Sequence, residues 1–289
     1  MKSGPTGSEP SRRRPFWRAV AGLAILIVAL VAFASQQGGD SDGDGPFNAI
    51  AAAAEETQNE PGGRSAMRAV ISSPAASESF TISGHGVFDA EGRTREILTF
   101  RRPGSDELVE MQMMGDEAAI YMRSDLFGSL PGGHEWMGLD LSFLDGSDAS
   151  LPTDGDAMGE LALLETVADD VQKLGQEDVR GVSTTRYHGK VDVSERTEQL
   201  REEGAEKLAS EIEEGPPMQI EVWIDADGLV RRMRYVKAER RKDGKKATTD
   251  MRVDFFDFGT EPEIELPDSS EVFDATAIGR EAAGLPSDE

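Results

Sequence analysis

Cysteine is absent from the chain, and this absence removes several kinds of chemistry at once. Without thiols there can be no disulfide, no thiolate metal site, no cysteine nucleophile and no lipid attached to a cysteine. Histidine is scarce as well, since His85, His134 and His188 are the only three. Each stands alone in a predicted strand, with no second ligand at helical spacing, so the sequence predicts no metal site.

Positive charge is also in short supply, with 30 lysines and arginines against 55 aspartates and glutamates and a formal net charge of −25. Because binding to phosphate backbones needs a basic surface, nucleic acid is excluded as an expected partner.

No HExxH, P-loop or GxGxxG pattern occurs. The match to GxSxG at 39–43 lies in an acidic segment with no strand before it, so it is not a nucleophile elbow. We therefore predict a protein that is not an enzyme and needs no cofactor.

A long apolar run occurs near the N-terminus, from Ala19 to Ala34. Arginines precede this run and only acidic charges follow it, which predicts a cytoplasmic N-terminus and a C-terminal domain outside the plasma membrane. Two interpretations stay open: a retained single-pass anchor, or a signal peptide cleaved after Ala34, which would give a secreted protein. The predicted anchor residues are Trp17, Arg18, Leu23, Ile25, Leu26, Ile27, Leu30 and Phe33.

Composition shifts divide the chain into five segments. We predict a disordered cytoplasmic segment over 1–15, the anchor or signal peptide over 16–35, and a flexible acidic linker over 36–46. One extracytoplasmic domain then covers 47–275, and a loosely ordered tail covers 276–289.

Within the domain, most of the sequence alternates between apolar and polar residues with a period of two. Gly- and Asp-rich turns separate these runs at short, regular spacing, which predicts an antiparallel meander. Three segments have helical character instead, at about 48–59, 158–172 and 194–214. The predicted fold class is α+β, with an antiparallel sheet and about three helices.

Apolar strand residues are the first candidate for a functional site. Methionine is adaptable and is over-used on surfaces that accept variable apolar partners, although ordinary core filling explains each one equally well. Together with neighbouring aromatic and aliphatic residues they would suit a pocket for an acyl chain. The candidate lining residues are Phe80, Ile82, Phe88, Leu98, Phe100, Met111, Met113, Met122, Val222 and Ile224.

A basic stretch in an acidic domain is the second candidate. Arg231, Arg232 and Arg234 open a run dense in arginine and lysine. They could meet an anionic lipid headgroup or a cell-wall polymer. The alternative is a solvated strand whose charges deter edge-to-edge aggregation.

Short motifs in the second half of the chain resemble a known family. The strand LGQEDVRGVSTTRYHGKVDV, the helix after it and the hairpin MQIEVWIDADGLVRRMRYV look like the actinobacterial LppX/LprG-type lipoproteins of the LolA/LolB-like superfamily. The matching positions are Gly181, Thr184, Tyr187, Gly189 and Asp192 in the strand, Val222 to Asp225, Gly228 and Arg231 or Arg232 in the hairpin, and Trp136 and Asp140 in an earlier strand.

The resemblance implies a curved half-barrel closed by helices around an apolar cavity, which binds or carries a lipid or lipidated glycan without catalysis or metal. One departure is plain, because those proteins carry a lipobox cysteine that FASQQGG lacks. We therefore expect a membrane-tethered lipid-binding protein. A sensing or regulatory domain that binds a protein partner on the same scaffold remains the alternative, and a surface protein without a ligand is a third possibility.

Overall fold

The computed structural model describes residues 46–72, 79–101, 105–116, 118–141, 171–190, 218–240 and 246–283, together with the single positions 164, 197, 198, 201 and 210. Twelve strands form one sheet, and a helix lies at each end of this part of the chain. The helices are α1 (Pro46–Gln58) and α2 (Thr276–Ala283). The strands are β1 (Gly62–Ser72), β2 (Phe80–Asp89), β3 (Thr94–Arg101), β4 (Leu108–Gly115), β5 (Ala119–Arg123), β6 (Trp136–Asp140), β7 (Gln172–Val179), β8 (Val182–Lys190), β9 (Gln219–Asp225), β10 (Val230–Arg240), β11 (Lys246–Phe256) and β12 (Val272–Asp274).

Two meanders meet in the middle of this sheet. The strand order is β12-β6-β5-β4-β3-β2-β1-β11-β10-β9-β8-β7, so consecutive strands are neighbours from β1 to β6 and from β7 to β11, and β12 is added beside β6. The halves join where β1 pairs antiparallel with β11, in a register that sets Met67 opposite Val253. This pairing places residues from the two ends of the domain side by side.

The predicted sheet needs one correction. It is mixed rather than wholly antiparallel, because β12 pairs parallel with β6 at one edge. It is also open, with β12 and β7 as its edge strands, while the half-barrel curvature and the closure by about three helices stay predictions. A three-residue strand such as β12 is too short for a period of two to show, which explains why the sequence did not reveal it.

The alanine-rich segment predicted as the first helix is confirmed as α1. Its residues Ile50, Ala53 and Ala54 are buried in the same core cluster as one face of the sheet, which we call the inner face. Thr57 fixes the contact, because its hydroxyl donates to the Ala53 carbonyl at 2.6 Å and accepts the amide of Val230 at 2.9 Å. That amide lies where the β9–β10 register shifts, so the helix satisfies a donor that the ladder leaves open.

The other two predicted helices lie almost entirely outside the described residues. In the 158–172 segment, the structure describes Leu164 and, at its end, residues 171 and 172, which lead into β7. Leu164 is buried in the inner-face core. In the 194–214 segment the described positions Thr197, Glu198, Arg201 and Ser210 are helical.

The tail predicted to be loosely ordered instead contains α2. The carboxylate of Asp274 accepts the amide of Thr276 at 2.9 Å, and the hydroxyl of Thr276 accepts the amide of Asp140 at 2.9 Å. These contacts hold the helix start against β6. The helix is two turns long and depends on tertiary contacts, which is why its sequence alone gave no signal.

The predicted membrane segment at 16–35, with Trp17, Arg18 and the apolar residues between 23 and 33, lies outside the described residues. Within the described part of the chain, neither helix is long and apolar enough to cross a bilayer.

Candidate functional site

All ten residues predicted to line an apolar site lie on the inner face. Register and alternation place them there: Ile82 lies opposite Phe100, Leu98 opposite Met111, and Met113 opposite Met122. Phe80, Phe88, Val222 and Ile224 belong to the same apolar cluster. The ten residues therefore belong to one continuous apolar cluster that extends over both meanders, and the ligand role predicted for them stays a prediction.

Most of this surface is buried, and one end of it is not. Eight of the ten side chains are at most 7% exposed, whereas Phe80 and Ile82 are half-buried. The rings of Phe80 and Phe100 lie 5.7 Å apart in a tilted arrangement. Among these ten residues, the more accessible ones therefore lie at the start of β2, next to the end of β1.

Close packing around β2 gives the reason for a glycine in that strand. A Cβ on Gly84 would lie 2.5 Å from Cδ2 of Leu98 and 2.7 Å from Cγ of Met67. The two neighbouring side chains thus occupy the space that a side chain at position 84 would need. This region of the inner face is filled by the protein itself.

The opposite face of the sheet, the outer face, carries a groove with a volume of about 360 Å³ across six strands. We call it the arginine groove. Its lining contains five arginines against three carboxylates, an excess of two positive charges in a chain whose formal net charge is −25. The lining residues are Arg68, Val70, Glu177, Arg186, Glu221, Trp223, Arg232, Arg234, Asp250 and Arg252.

Trp223 contacts two arginines in one half of the groove. The guanidinium carbons of Arg186 and Arg232 lie 5.1 Å and 5.6 Å from the centre of its rings. Its indole nitrogen donates a hydrogen bond to Glu177 at 3.1 Å. Because Trp223 is only 4% exposed, it acts as a support for the two arginines rather than as a surface for a ligand.

Asp254 lies beneath the groove and is 3% exposed. Arg232 binds it through two hydrogen bonds, at 2.6 Å and 3.0 Å, and Arg180 and Arg252 each approach to 3.4 Å. Burial raises the pKa of this carboxyl, but the hydrogen bonds from Arg232 and the three positive charges outweigh it, so the pKa lies below its usual value.

Asp250 and Glu221 neutralise Arg234. The hydrogen bonds to Asp250 are 2.8 Å and 2.7 Å long, and the contact with Glu221 is 3.2 Å. The hydrogen bonding from Arg234, opposed by some burial, lowers the pKa of Asp250. Glu221 also pairs with Arg186.

The three arginines that the sequence singled out are not equivalent. Arg232 and Arg234 are in the groove, whereas Arg231 pairs with Asp225 and stacks at 4.7 Å over the ring of Phe258. Asp225 opens the β9–β10 turn, in which Gly228 adopts a φ of +86° that favours glycine. Arg231 therefore stabilises the turn, and the headgroup role predicted for it stays a prediction.

Sequence reasoning missed Arg68 and Arg252, which lie directly opposite each other on β1 and β11. Arg234 lies opposite Arg252 on the other side, so three arginines form one row across adjacent strands. No local pattern could reveal this row, because long-range strand pairing assembles it. The histidines lie apart, and the described residues contain no group of three side chains suited to a metal ion.

The fold and the groove together describe an open-sheet protein with an apolar face on one side and an arginine-rich groove on the other. No known family model matches the chain. The chain is 30% identical over 199 residues to an uncharacterised 31.2 kDa protein of Streptomyces griseus from the rplA–rplJ intergenic region. The alignment covers 64% of this chain and 63% of that protein, which is less than two thirds of the relative's length.

Several solved structures are similar to the chain at low identity. They include lipoprotein LppX of Mycobacterium tuberculosis, with 17% identity, a TM-score of 0.45 and coverage of 76% of this chain and 97% of that one. LprF of Mycobacterium bovis follows with 12% identity, a TM-score of 0.40 and coverage of 77% and 95%. A LolA superfamily protein of Nitrosomonas europaea has 11% identity, a TM-score of 0.28 and coverage of 78% and 96%. These are the kinds of protein that the sequence motifs resemble.

Proposed function

We propose that this chain is an extracytoplasmic, membrane-tethered protein that binds a lipid or a lipidated glycan against the inner face of its sheet, without catalysing a reaction on it. The observation that carries the proposal is the continuous apolar face, in which all ten sequence-predicted residues belong to or pack against one cluster. The proposed tether is the apolar segment at 16–35, which follows a cluster of arginines.

The proposed entry point is the half-buried end of the face, at Phe80 and Ile82. An acyl chain that covered these two side chains would remove apolar surface from water, which is worth about 25 cal/mol for each Å². Methionines on β4 and β5, which lie beyond β3 in the sheet, can change rotamer at small cost, so the face can adapt to chains of different shape.

The test is native mass spectrometry of the full chain, purified from its host in a detergent that dissociates in the gas phase. The expected result is a copurified lipid mass on the wild-type protein and a clear loss of that mass in Ile82→Gln. The matched control is Ile97→Gln on the outer face of β3, which exchanges the same residue type and should keep the lipid.

Two results would contradict the proposal. One is a repeated absence of lipid from the wild-type protein. The other is equal loss in the Ile82 and Ile97 variants, because equal loss would indicate general destabilisation rather than a binding face. A crosslinking screen that returns one protein partner and no lipid would favour the sensing or regulatory alternative.

A further inference from the structure

The arginine row of the outer face destabilises the sheet, because it places like charges close together. Arg68, Arg252 and Arg234 lie directly opposite one another on β1, β11 and β10. Facing side chains in such positions have their Cβ atoms about 4.5–5.5 Å apart, and like charges placed there destabilise a sheet. Nearby carboxylates offset this repulsion only in part.

Those carboxylates are shared among more arginines than they can neutralise. Asp250 and Glu221 serve Arg234, and the deeper Asp254 serves Arg232 together with Arg180 and Arg252. Arg68 is exposed and has no carboxylate in ion-pair contact among the described residues, although its charge acts on Asp250 from further away. Including Arg180 and Asp254 with the lining leaves the same excess of two positive charges.

We propose that the arginine groove is a binding site for a phosphate group, held by the row Arg68–Arg252–Arg234. A phosphate monoester carries a charge of about −1.5 to −2 at pH 7 and three acceptor oxygens, which matches the excess charge of the groove. Guanidinium groups are planar forks that bind phosphate oxygens in pairs, so arginine is favoured over lysine for this task. The volume of about 360 Å³ also accommodates the glycerol or sugar that carries the phosphate.

The overall charge decides between a compact phosphate and a long polyanion. Outside the groove the protein is strongly acidic, so a polymer extending beyond the site would be repelled. A single phosphate group confines its charge to the arginine row. The site lies on the opposite face of the sheet from the apolar surface and does not depend on the proposed lipid function.

The experiment is isothermal titration calorimetry of the full chain in phosphate-free detergent, with inorganic phosphate and sn-glycerol 3-phosphate as separate ligands. Potassium chloride at matched ionic strength controls for screening of charge. The wild-type protein should bind at least one of the two ligands, and Arg68→Gln and Arg252→Gln should each weaken binding by about tenfold, the effect of one lost charge-assisted hydrogen bond. Arg95→Gln removes an exposed outer-face arginine away from the groove and should leave affinity unchanged.

Stability measurements separate this proposal from a purely structural role. Because Arg68 is exposed and faces a like charge, Arg68→Gln should leave the thermal unfolding temperature unchanged or raise it, while phosphate binding falls.

Tighter binding of glycerol phosphate would indicate a lipid headgroup, and tighter binding of inorganic phosphate would indicate a soluble source of phosphate. Either result supports the site. Absence of binding of both ligands to the wild-type protein, or equal binding by Arg68→Gln and the wild type, would overturn it.

Discussion

Replacement of Asp254 by asparagine is the most direct probe of the outer-face ion network. Asp254→Asn preserves the size of the side chain and removes its charge. Arg232, whose side chain is 15% exposed, then loses the carboxylate that now accepts two hydrogen bonds at 2.6 Å and 3.0 Å. Arg180 and Arg252 lose the same counter-charge at 3.4 Å.

The magnitude follows from burial. Removal of one partner of a buried ion pair costs about 3–5 kcal/mol, because the remaining charge stays buried without compensation. The asparagine oxygen can still accept one hydrogen bond, so we expect the lower end, about 3 kcal/mol of unfolding free energy. The matched control is Asp250→Asn, whose carboxylate is 42% exposed and whose partner Arg234 keeps Glu221. For such an exposed pair we expect a loss of about 0–1 kcal/mol.

Urea unfolding followed by far-UV circular dichroism gives both free energies at pH 7. The pKa of Asp254 is lowered in the folded protein below the ordinary value of 3.8. Its contribution is therefore present above that value and is lost as the pH falls through the folded pKa. The difference between wild type and Asp254→Asn should thus be constant from about pH 7 to pH 5 and should shrink below about pH 4. The reasoning would be refuted if the Asp254 and Asp250 variants lost equal unfolding free energy. It would also be refuted if the difference between wild type and Asp254→Asn did not change below about pH 4.

Three further substitutions test packing, a hydrogen bond and a helix cap, all by urea unfolding. Gly86→Ala sets a Cβ 2.8 Å from the carbonyl oxygen of Arg95 and should cost about 1–3 kcal/mol, so a neutral result would contradict this packing. Trp223→Phe keeps a ring between the arginines but loses the 3.1 Å hydrogen bond to Glu177, with an expected loss of about 1 kcal/mol; a gain in stability would count against that bond. Asp274→Ala removes the cap of α2 and should cost about 1 kcal/mol with faster amide exchange in that helix, whereas unchanged exchange would exclude a capping role.

Strands that carry a local signal were predictable from the sequence. Alternation and the Gly- and Asp-rich turns between strands revealed β2 to β6 and β7 to β11, and the turn at Asp225–Gly228 marked a hairpin. The beginning of β1 was hidden, because Pro61-Gly62-Gly63 reads as a helix stop. Gly62 nevertheless opens a strand at φ +149°, where a Cβ would lie 2.5 Å from the carbonyl oxygen of Thr260. That close backbone approach is a tertiary constraint, and no local pattern encodes it.

The two candidate sites differed in how much the sequence could reveal. Residues of one apolar face can be collected strand by strand, because a period of two assigns each side chain to a face once the strand is known. Arg232 and Arg234 were visible because they are close in sequence. Arg68 and Arg252 were not, since only the pairing of β1 with β11 brings them together. Only Arg234 of the three arginines in the row was therefore predicted, and the sequence suggested a single lipid site, with apolar and anionic parts in one ligand.

The geometry separates those two parts, and this separation is testable. Ile82 is on the inner face at the half-buried end of β2, whereas Arg68 is on the outer face of the adjacent strand. The sheet lies between them, so we expect the headgroup of a lipid bound at the inner face to lie outside the groove.

We therefore expect lipid-loaded and lipid-free protein to bind glycerol phosphate with affinities equal within about twofold, as two uncoupled sites require. The measurement is calorimetric titration of the same preparation before and after delipidation, with Arg68→Gln as the control that loses the groove. If lipid loading abolished phosphate binding, one ligand would extend across both sites and the two-site description would be wrong.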